Sequence, residues 1–277
     1  MVGVSFLVVI PARFQSTRFP GKPLADLGGS PLIEHVWRQC CRAVDATDVV
    51  VATDDERIAV VARDFGAIVE MTASDCLTGT DRVAEVASRH RADWFVNVQG
   101  DEPFVDPTAI QRLIEVAGTA ADDVAAVNAM SIITEEAEFR SETVPKPVTD
   151  SRGRLLYMSR AAIPTDKRLR FHNAFRQVGL YAFTRSALAL YQAGTKKSPL
   201  EEIEDIEILR IVEAGLHVQM VEVPPTGLAV DTPADLERAR ALINFRKPTQ
   251  SEHESLISHF CLDPKCNRNP EESLGDD

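Results

Sequence analysis

Three cations, two hydroxyl groups and a glycine are concentrated in a short stretch near the start of the chain. Residues 11–24, which we call the basic loop, contain Arg13, Arg18 and Lys22 and no acid. Triphosphates are bound by fixed positive charge together with backbone N–H groups that approach closely at glycine. The spacing matches neither a Walker loop nor a Gly-x-Gly-x-x-Gly motif, which disfavours P-loop enzymes and the usual NAD enzymes. The basic loop therefore predicts a triphosphate site of another kind; the alternative is a surface loop without a ligand.

Two aspartates are candidate metal ligands. Asp101 follows the apolar run Trp94–Val98, where a strand of a parallel sheet would end beside the basic loop. Mg²⁺ takes oxygen ligands and bridges phosphates, so a carboxylate at this point could hold it. A Gly-Asp pair is also common in turns. Asp231, which precedes Thr232 and Pro233, is either a second ligand or part of a helix cap, and the sequence leaves both open.

The elements that position these residues alternate between strand and helix in the first half of the chain. Apolar runs without polar alternation, separated by helical spacing, predict a parallel sheet covered on both faces, that is, a doubly wound, mostly parallel α/β fold. The predicted strands are 5–10, 48–53, 67–71 and 94–98, and the predicted helices are 31–43, 57–65 and 80–90.

The pattern changes after residue 123. Strand candidates at 124–133, 154–158 and 178–184, with little helix between them, predict an antiparallel insertion at about 124–185. A helix over 200–213 follows, with an apolar stripe formed by Ile203, Ile206, Leu209 and Val212. A strand at 216–223 and a helix from 231 to about 245 complete one domain, residues 1–247, whose core is 1–123 and 186–247. Residues 248–277 are polar and acidic, and we expect a poorly ordered tail.

Charge and hydropathy exclude several classes of protein. The chain has 30 basic and 42 acidic residues, a net charge of −12, which argues against a nucleic-acid partner or an anionic membrane surface. No apolar stretch approaches the roughly 20 residues that a membrane span needs. The first residues lack the basic segment of a secretory leader, so we expect a cytoplasmic protein.

In combination, the motifs resemble the nucleotidyltransferases that activate acidic sugars with CTP, specifically the 3-deoxy-manno-octulosonate (Kdo) cytidylyltransferases. The resemblance covers roughly residues 5–245. The motifs that carry it are the basic loop, Thr53-Asp54, Thr78-Gly79-Thr80-Asp81-Arg82, residues 99–103, Ser159-Arg160-Ala161, Ile163-Pro164, Gly179-x-Tyr181, Ser198-Pro199-Leu200-Glu201, and Val230-Asp231-Thr232-Pro233 with Asp235-Leu236-Glu237.

The resemblance implies a nucleotide-diphospho-sugar transferase fold and a reaction. The anomeric hydroxyl of the sugar acid attacks the α-phosphate of CTP and releases pyrophosphate, with Arg13, Lys22 and Asp101 as catalytic residues. It also implies that Asp101 and Asp231 hold Mg²⁺, and that the insertion forms a homodimer. The nucleotide-binding residues it implies are Ala12, Arg13, Ser16, Thr17, Lys22, Thr78, Gly79, Thr80 and Arg82. We interpret Asp81 as an acid at a helix start rather than as a catalytic group.

The resemblance is weakest on the acceptor side, where it implies binding by Gln99, Arg160, Gln177, Tyr181, Glu201 and Glu207. Gln177 stands where members that use Kdo usually have His, and the usual Trp after Ile163-Pro164 is missing. The basic stretch 167–170 could meet a more highly charged anion. The acceptor is therefore either Kdo or a phosphonate such as phosphonoformate. A third hypothesis is a non-catalytic nucleotide-binding regulator that keeps the fold.

Overall fold

A seven-stranded sheet and a separate two-stranded hairpin organise the fold. The computed structural model describes residues 4–16, 18–192, 196–225 and 227–246. The strands are β1 (Phe6–Ala12), β2 (Val49–Thr53), β3 (Ile68–Met71), β4 (Trp94–Val98), β5 (Val124–Ile132), β6 (Lys146–Thr149), β7 (Leu155–Ser159), β8 (Phe175–Thr184) and β9 (His217–Glu222). The helices are α1 (Leu32–Ala43), α2 (Glu56–Asp64), α3 (Gly79–Arg89), α4 (Pro107–Gly118), α5 (Glu136–Arg140), α6 (Arg185–Leu188), α7 (Pro199–Glu204), α8 (Leu209–Glu213) and α9 (Pro233–Arg246).

The large sheet has the strand order β3-β2-β1-β4-β8-β5-β9. Its neighbours pair in parallel except at β8, which runs antiparallel to both β4 and β5. The predicted doubly wound, mostly parallel sheet is confirmed. Because β1 and β4 are adjacent and parallel, the residues that follow them emerge at the same edge of the sheet.

Both faces of the sheet are buried, as the apolar runs require. On one face, side chains such as Val8 and Ile10 pack with Leu32 and Ile110 under α1, α2, α4 and α9. On the other face, Phe95 and its neighbours pack under α3, α6 and α8. Each fully buried aliphatic or aromatic side chain contributes about 1.5–3 kcal/mol of burial free energy, so the central strands are the most strongly fixed part of the fold.

The predicted helix over 200–213 is wrong, because it is two short helices with a break at Asp205. Asp205 has the left-handed backbone conformation, φ 52°, which asparagine and aspartate tolerate better than most residues. The break follows from contacts with the end of β7: Ser159 Oγ donates to the Glu204 carboxylate at 2.6 Å, and Arg160 Nε donates to the Glu204 carbonyl at 2.6 Å. Ile203, placed in the buried stripe by the helical spacing, is 79% exposed.

The antiparallel region also differs from the expectation. β5 and β8, the two ends of the predicted insertion at 124–185, are interior strands of the large sheet. The separate antiparallel element is the β6–β7 hairpin. The reason is burial: eight of the nine residues of β5 are buried, and all of these except Asn128 and Ser131 are apolar, which is typical of a central strand rather than of an added hairpin. α4 and β6 were not predicted from the sequence. The expected tail, residues 248–277, lies outside the described residues.

Candidate active site

A cleft of about 340 Å³ opens at the edge where β1 and β4 end. It brings together five segments that are distant in sequence. Its lining residues are Pro11, Ala12, Arg13, Ser16, Arg18, Lys22, Pro23, Leu77, Thr78, Gly79, Arg82, Gln99, Gly100, Asp101, Lys197, Asp205, Glu207 and Asp231. Most of the residues singled out in the sequence therefore meet in one cavity, although Thr17 lies outside the described residues.

Lys22 lies at the centre of the charged part of this cleft. Its Nζ is 2.8 Å from Asp101 Oδ2 and 3.3 Å from Asp231 Oδ1. The position of Lys22 is set by Gly21, which has φ 72° and closes the basic loop through a hydrogen bond from its N–H to the Phe14 carbonyl at 2.8 Å. A residue with a side chain is strained in that conformation, so the glycine is required where the loop turns back.

Asp101 is brought to Lys22 by a close approach of two chain segments. A Cβ atom on Gly100 would lie 2.6 Å from the Pro11 carbonyl oxygen, which is too short for any side chain. Only glycine at this position lets the end of β4 pack directly against the end of β1. Gly100 is thus the reason that the carboxylate following it reaches the basic loop.

The structure distinguishes the two interpretations of Asp231. Helix α9 is capped by Asp235, whose Oδ2 accepts hydrogen bonds from the backbone N–H of Thr232 at 2.8 Å and of Asp231 at 3.1 Å. The carboxylate of Asp231 takes no part in this cap and instead faces Lys22 and Arg18, the latter at 3.4 Å. This geometry favours a role in the cleft over a role in helix capping.

The two carboxylates form a donor set that fits a divalent cation. Asp101 and Asp231 both reach the single ammonium of Lys22 from different segments, so the space between them already accommodates positive charge. Among hard divalent cations, Mg²⁺ is usually bound by one or two protein carboxylates together with phosphate oxygens of the substrate. Within the described residues no group of three or more His, Cys, Asp or Glu side chains forms a cation site of its own. Two carboxylates completed by a triphosphate match this arrangement.

The segment 78–82 forms a second wall at the start of α3. Thr78 caps the helix by accepting from the Asp81 N–H at 3.2 Å, and the Asp81 carboxylate accepts from the Thr78 N–H at 2.7 Å, which forms a capping box. The interpretation of Asp81 as a helix-start acid is confirmed. Arg82 is almost fully buried, donates to Thr72 Oγ1, and approaches Asp54 at 3.4 Å. The wall is therefore rigid before any ligand enters.

Thr80 and Glu207 connect this wall to the segment between α7 and α8. The Thr80 N–H donates to Glu207 Oε2 at 3.2 Å, and Asn97 Nδ2 donates to Thr80 Oγ1 at 3.3 Å. Thr80 itself is fully buried behind the wall rather than exposed to the cavity. Burial raises the pKa of Glu207, and the nearby carboxylate of Asp81 raises it further. A buried acid of this kind offers a neutral or singly charged hydrogen-bonding group to a polar ligand.

Glu102 is a further buried carboxyl group beside Asp101. Burial, followed by the charge of Asp101, raises the pKa of Glu102 to about 8. Its side chain, together with that of Gln99, packs against the backbone at Gly179, where a Cβ atom would lie 3.1 Å from Gln99 Cγ. Gly179 thus allows Gln99 to lie at the floor of the cleft.

Four of the predicted acceptor residues do not line the cavity. Glu201 is fully buried and binds Arg210 with both oxygens, at 2.6 and 2.9 Å. Arg160 donates from its guanidinium to backbone carbonyls, including those of Glu204 and Asp205 at 2.6 and 3.0 Å. Tyr181 is buried, which raises the pKa of its hydroxyl. In this conformation these three side chains hold the walls together.

Gln177, the fourth of them, lies in a chain of amide hydrogen bonds. Asn128 Nδ2 donates to the carbonyls of Val178 at 3.1 Å and Leu180 at 3.0 Å, so only its Oδ1 can accept from a side chain. Gln177 Nε2 donates to this oxygen at 3.0 Å. The network fixes the orientation of the Gln177 amide and leaves its Oε1 outside this chain of bonds.

Lys197 and Asp205 line the cleft and were not anticipated. Lys197 Nζ lies 2.7 Å from Asp205 Oδ1, and both residues line the cleft. The neighbouring motif that begins at Ser198 was recognised, but a helix running through Asp205 would have kept that residue away from Lys197. The break after α7 is what brings the pair into the cavity.

The parallel sheet and a cleft with a basic loop and paired carboxylates at its strand ends define a nucleotidyltransferase. A family model described as Cytidylyltransferase matches residues 7–220. The 3-deoxy-manno-octulosonate cytidylyltransferase of Syntrophotalea carbinolica is 42% identical over 248 residues, covering 86% of this chain and 98% of that protein. The enzyme of the same name from Escherichia coli is 38% identical over 237 residues, 86% of this chain and 95% of its own.

Solved structures agree. A CMP:2-keto-3-deoxy-manno-octonic acid synthetase complexed with CTP has a TM-score of 0.80 and 36% identity, covering 87% of this chain and 98% of that one. A putative glucose-1-phosphate thymidylyltransferase from Bacillus anthracis, with a TM-score of 0.60 and 18% identity, shares the fold. The chain belongs to the cytidylyltransferase family and is an enzyme of the nucleotidyltransferase class. Among the described residues, no helix has both the length and the apolar character of a membrane span.

Proposed function

We propose that this enzyme transfers CMP from CTP to 3-deoxy-manno-octulosonate and releases pyrophosphate. The observation that carries the proposal is the convergence of Asp101 and Asp231 on Lys22 inside a cleft, most of whose other lining residues come from the family's motifs. Both relatives quoted above match this chain over at least 95% of their own length, and both are named for this activity. We also propose that the enzyme is cytoplasmic and that it forms a homodimer.

In the proposed mechanism, Arg13, Ser16 and Lys22 bind the triphosphate. Their charges and hydrogen bonds hold the β- and γ-phosphates so that the α-phosphate faces the rest of the cleft. The nucleophile is the anomeric hydroxyl oxygen of the acceptor. A new P–O bond forms to the α-phosphorus as the bond to the β-phosphate oxygen breaks, the hydroxyl proton passes to water, and pyrophosphate leaves. No covalent enzyme intermediate is needed.

Asp101 and Asp231 would hold the metal ion, which we propose to be Mg²⁺. When bound, such an ion offsets the negative charge that develops on the phosphate oxygens. Both carboxylates also keep the ammonium of Lys22 at the phosphate end of the cavity. The segment at Thr78, Gly79 and Arg82 would contact the cytosine, with Ala12 below it and Thr80 supporting the wall.

Gln99 and Glu207 line the cavity on the acceptor side, and we propose that they bind the hydroxyl groups of the sugar acid. Arg160, Gln177, Tyr181 and Glu201 would shape this side from behind. The basic stretch 167–170 does not line the cleft, and Arg170 is paired with Asp166 at 2.6 Å. The stretch therefore gives a phosphonate acceptor no additional support.

The test is release of pyrophosphate by the purified full-length chain. With CTP, a divalent cation and 3-deoxy-manno-octulosonate, we expect turnover, and with ATP or GTP in place of CTP we expect little. EDTA should stop the reaction, and comparison of Mg²⁺ with Ca²⁺ in restoring it tests the identity of the ion. With CTP and the cation present, turnover with phosphonoformate but not with 3-deoxy-manno-octulosonate would favour the phosphonate acceptor. Tight CTP binding without turnover on any acid would favour a non-catalytic regulator.

A further inference from the structure

Arg57, which does not line the cleft, makes a close stacking contact with the basic loop. Its guanidinium carbon lies 3.3 Å from the centroid of the Phe14 ring. Arg57 is in the first turn of α2, whereas Phe14 directly follows Arg13 in the loop. A guanidinium over an aromatic face is attracted by the ring quadrupole and packs flat against it. The contact therefore joins the basic loop to a helix outside the site.

Phe14 transmits this contact to the far end of the loop. Its ring edge packs against Gly21, where an added Cβ atom would lie 3.2 Å from the Phe14 Cζ atom. The Phe14 carbonyl also accepts the hydrogen bond from the Gly21 N–H at 2.8 Å. Gly21 in turn caps the short 3₁₀ helix that begins at Lys22. A displacement of Phe14 would move both Arg13 and Lys22.

Arg57 itself is held in place by Asp55. The guanidinium donates to the two oxygens of Asp55 from Nε at 2.9 Å and from Nη2 at 2.6 Å, while Asp55 also accepts the Arg57 N–H as the cap of α2. This interaction lowers the pKa of Asp55. The Arg57 side chain is 61% exposed, so the ion pair alone contributes little to folding. What the pair does achieve is to fix the plane of the guanidinium against Phe14.

We propose that Arg57 is a positioning residue for triphosphate binding, which acts through Phe14 to hold the basic loop in its binding conformation. The inference rests on the proposed function of the loop in binding CTP. Arg57 neither lines the cavity nor contacts the carboxylates of Asp101 and Asp231. It therefore acts on binding of the nucleotide rather than on the chemical step. Without the stack, part of the free energy of CTP binding is consumed in ordering the loop, so KM for CTP rises.

The test compares Arg57→Ala with Arg63→Ala in the full-length enzyme. Arg63 is on the same helix, is 49% exposed and is also paired with an acid, Glu56, but it does not contact the basic loop. We expect Arg57→Ala to raise KM for CTP by about 3- to 30-fold, with kcat and the acceptor KM little changed. Arg63→Ala should match the wild type. Equal effects of the two variants, or a loss of kcat without a change in KM, would overturn the proposal.

Two further measurements separate stacking from charge. Arg57→Lys keeps the charge but not the planar group, so it should restore only part of the CTP affinity, and full restoration would show that charge alone matters. In a double-mutant cycle with Phe14→Leu, the two changes should be strongly non-additive, whereas additive effects would contradict coupling through the ring.

Trypsin cleavage after Arg13 and Arg18 in the absence of nucleotide gives a readout that does not depend on activity. We expect faster cleavage in Arg57→Ala than in Arg63→Ala. Equal cleavage rates would overturn the loop-holding role. Failure of the wild type to bind CTP in calorimetry would instead refute the proposed function, while the cleavage comparison would still stand as a test of the stack.

Discussion

Lys22 Nζ and Asp101 Oδ2 form a 2.8 Å ion pair between residues that are 79 positions apart in the sequence. Both side chains are largely buried in the cleft, where an ion pair is stronger than at an open surface. It joins the basic loop to the end of β4 before any substrate is present. The carboxylate that would hold a metal ion and the ammonium that would hold a phosphate are therefore preorganised by each other.

Replacing Asp101 by Asn should abolish catalysis without unfolding the protein. The change keeps the shape of the side chain and removes its charge, so we expect kcat to fall by about 100-fold or more. Pyrophosphate release measures the loss and circular dichroism checks the fold. Asp122→Asn, an exposed acid remote from the cleft, is the control. Near-normal turnover in Asp101→Asn would remove this residue from the catalytic site.

Asp231 and Asp235 should respond in opposite ways to the same substitution. Asp231→Asn is expected to reduce kcat strongly with little change in thermal stability, because its carboxylate faces Lys22. Asp235→Asn weakens the cap of α9, and we expect the free energy of unfolding to fall by about 1 kcal/mol with kcat largely kept. Denaturant unfolding and steady-state kinetics on both variants decide the matter. The reverse pattern would return Asp231 to a capping role.

The acceptor role of Gln177 can be tested through pH. The amide does not titrate, whereas histidine gains a charge as the pH falls through about 6.5. We expect the acceptor KM of Gln177→His, divided by that of the wild type, to decrease as the pH drops through this range, because the charged ring attracts an anionic acid. The corresponding ratio for CTP should stay flat. A flat acceptor ratio would show that a charge at this position, behind the cavity wall, does not act on the acceptor.

Two adjacent lysines allow a matched test of the Lys197 position in the cleft. Lys197 lines the cavity, whereas Lys196 is exposed and does not. Lys197→Ala removes a charged hydrogen-bond donor, and we expect kcat/KM to fall by about 10-fold, with Lys196→Ala close to the wild type. The same loss in both variants would indicate a general effect of charge rather than a contact in the cleft.

The buried pair of Arg210 and Glu201 should matter for stability. Replacing Arg210 by Met leaves the Glu201 carboxylate buried without its partner, which costs about 3–5 kcal/mol. The exposed pair of Arg112 and Glu115 serves as the control, since Arg112→Met should cost less than about 1 kcal/mol. Urea unfolding measures both. Similar stabilities of the two variants would mean that Arg210 is not required to hold α7 and α8 together.

Much of this fold was predictable because its central strands are continuous apolar runs. Trp94–Val98, for example, is buried on both faces and apolar at every position except Asn97, so its composition identifies it as a central strand. The break at Asp205 was not predictable, because helical spacing continues through it. It depends on Ser159 and Arg160, whose contacts with Glu204 are invisible until β7 is placed.

The candidate site shows the same division. The basic loop and Asp101 were found because both follow strands, and parallel strands deliver such residues to one edge. Asp231 could not be assigned from sequence. The spacing of Thr232 and Asp235 predicts a helix cap, but only the packing of the start of α9 against the basic loop shows that the Asp231 carboxylate faces Lys22 instead of joining that cap. Arg57 carried no signal, because a stack on Phe14 requires the three-dimensional packing of α2 on the loop.

The reversed direction of β8 has a consequence for how such an enzyme can diversify. β5 ends, and β8 begins, at the edge of the sheet where the cleft opens, so residues 133–174 depart from and return to that same edge. This connection reaches the cavity wall through Arg160, which binds the Asp205 carbonyl. Its length and composition can change without altering the register of the seven-stranded sheet, as long as the contacts of Ser159 and Arg160 with Glu204 are kept. The fold thus separates the part of the sheet that we propose binds the nucleotide from a connection that can vary next to the proposed acceptor side.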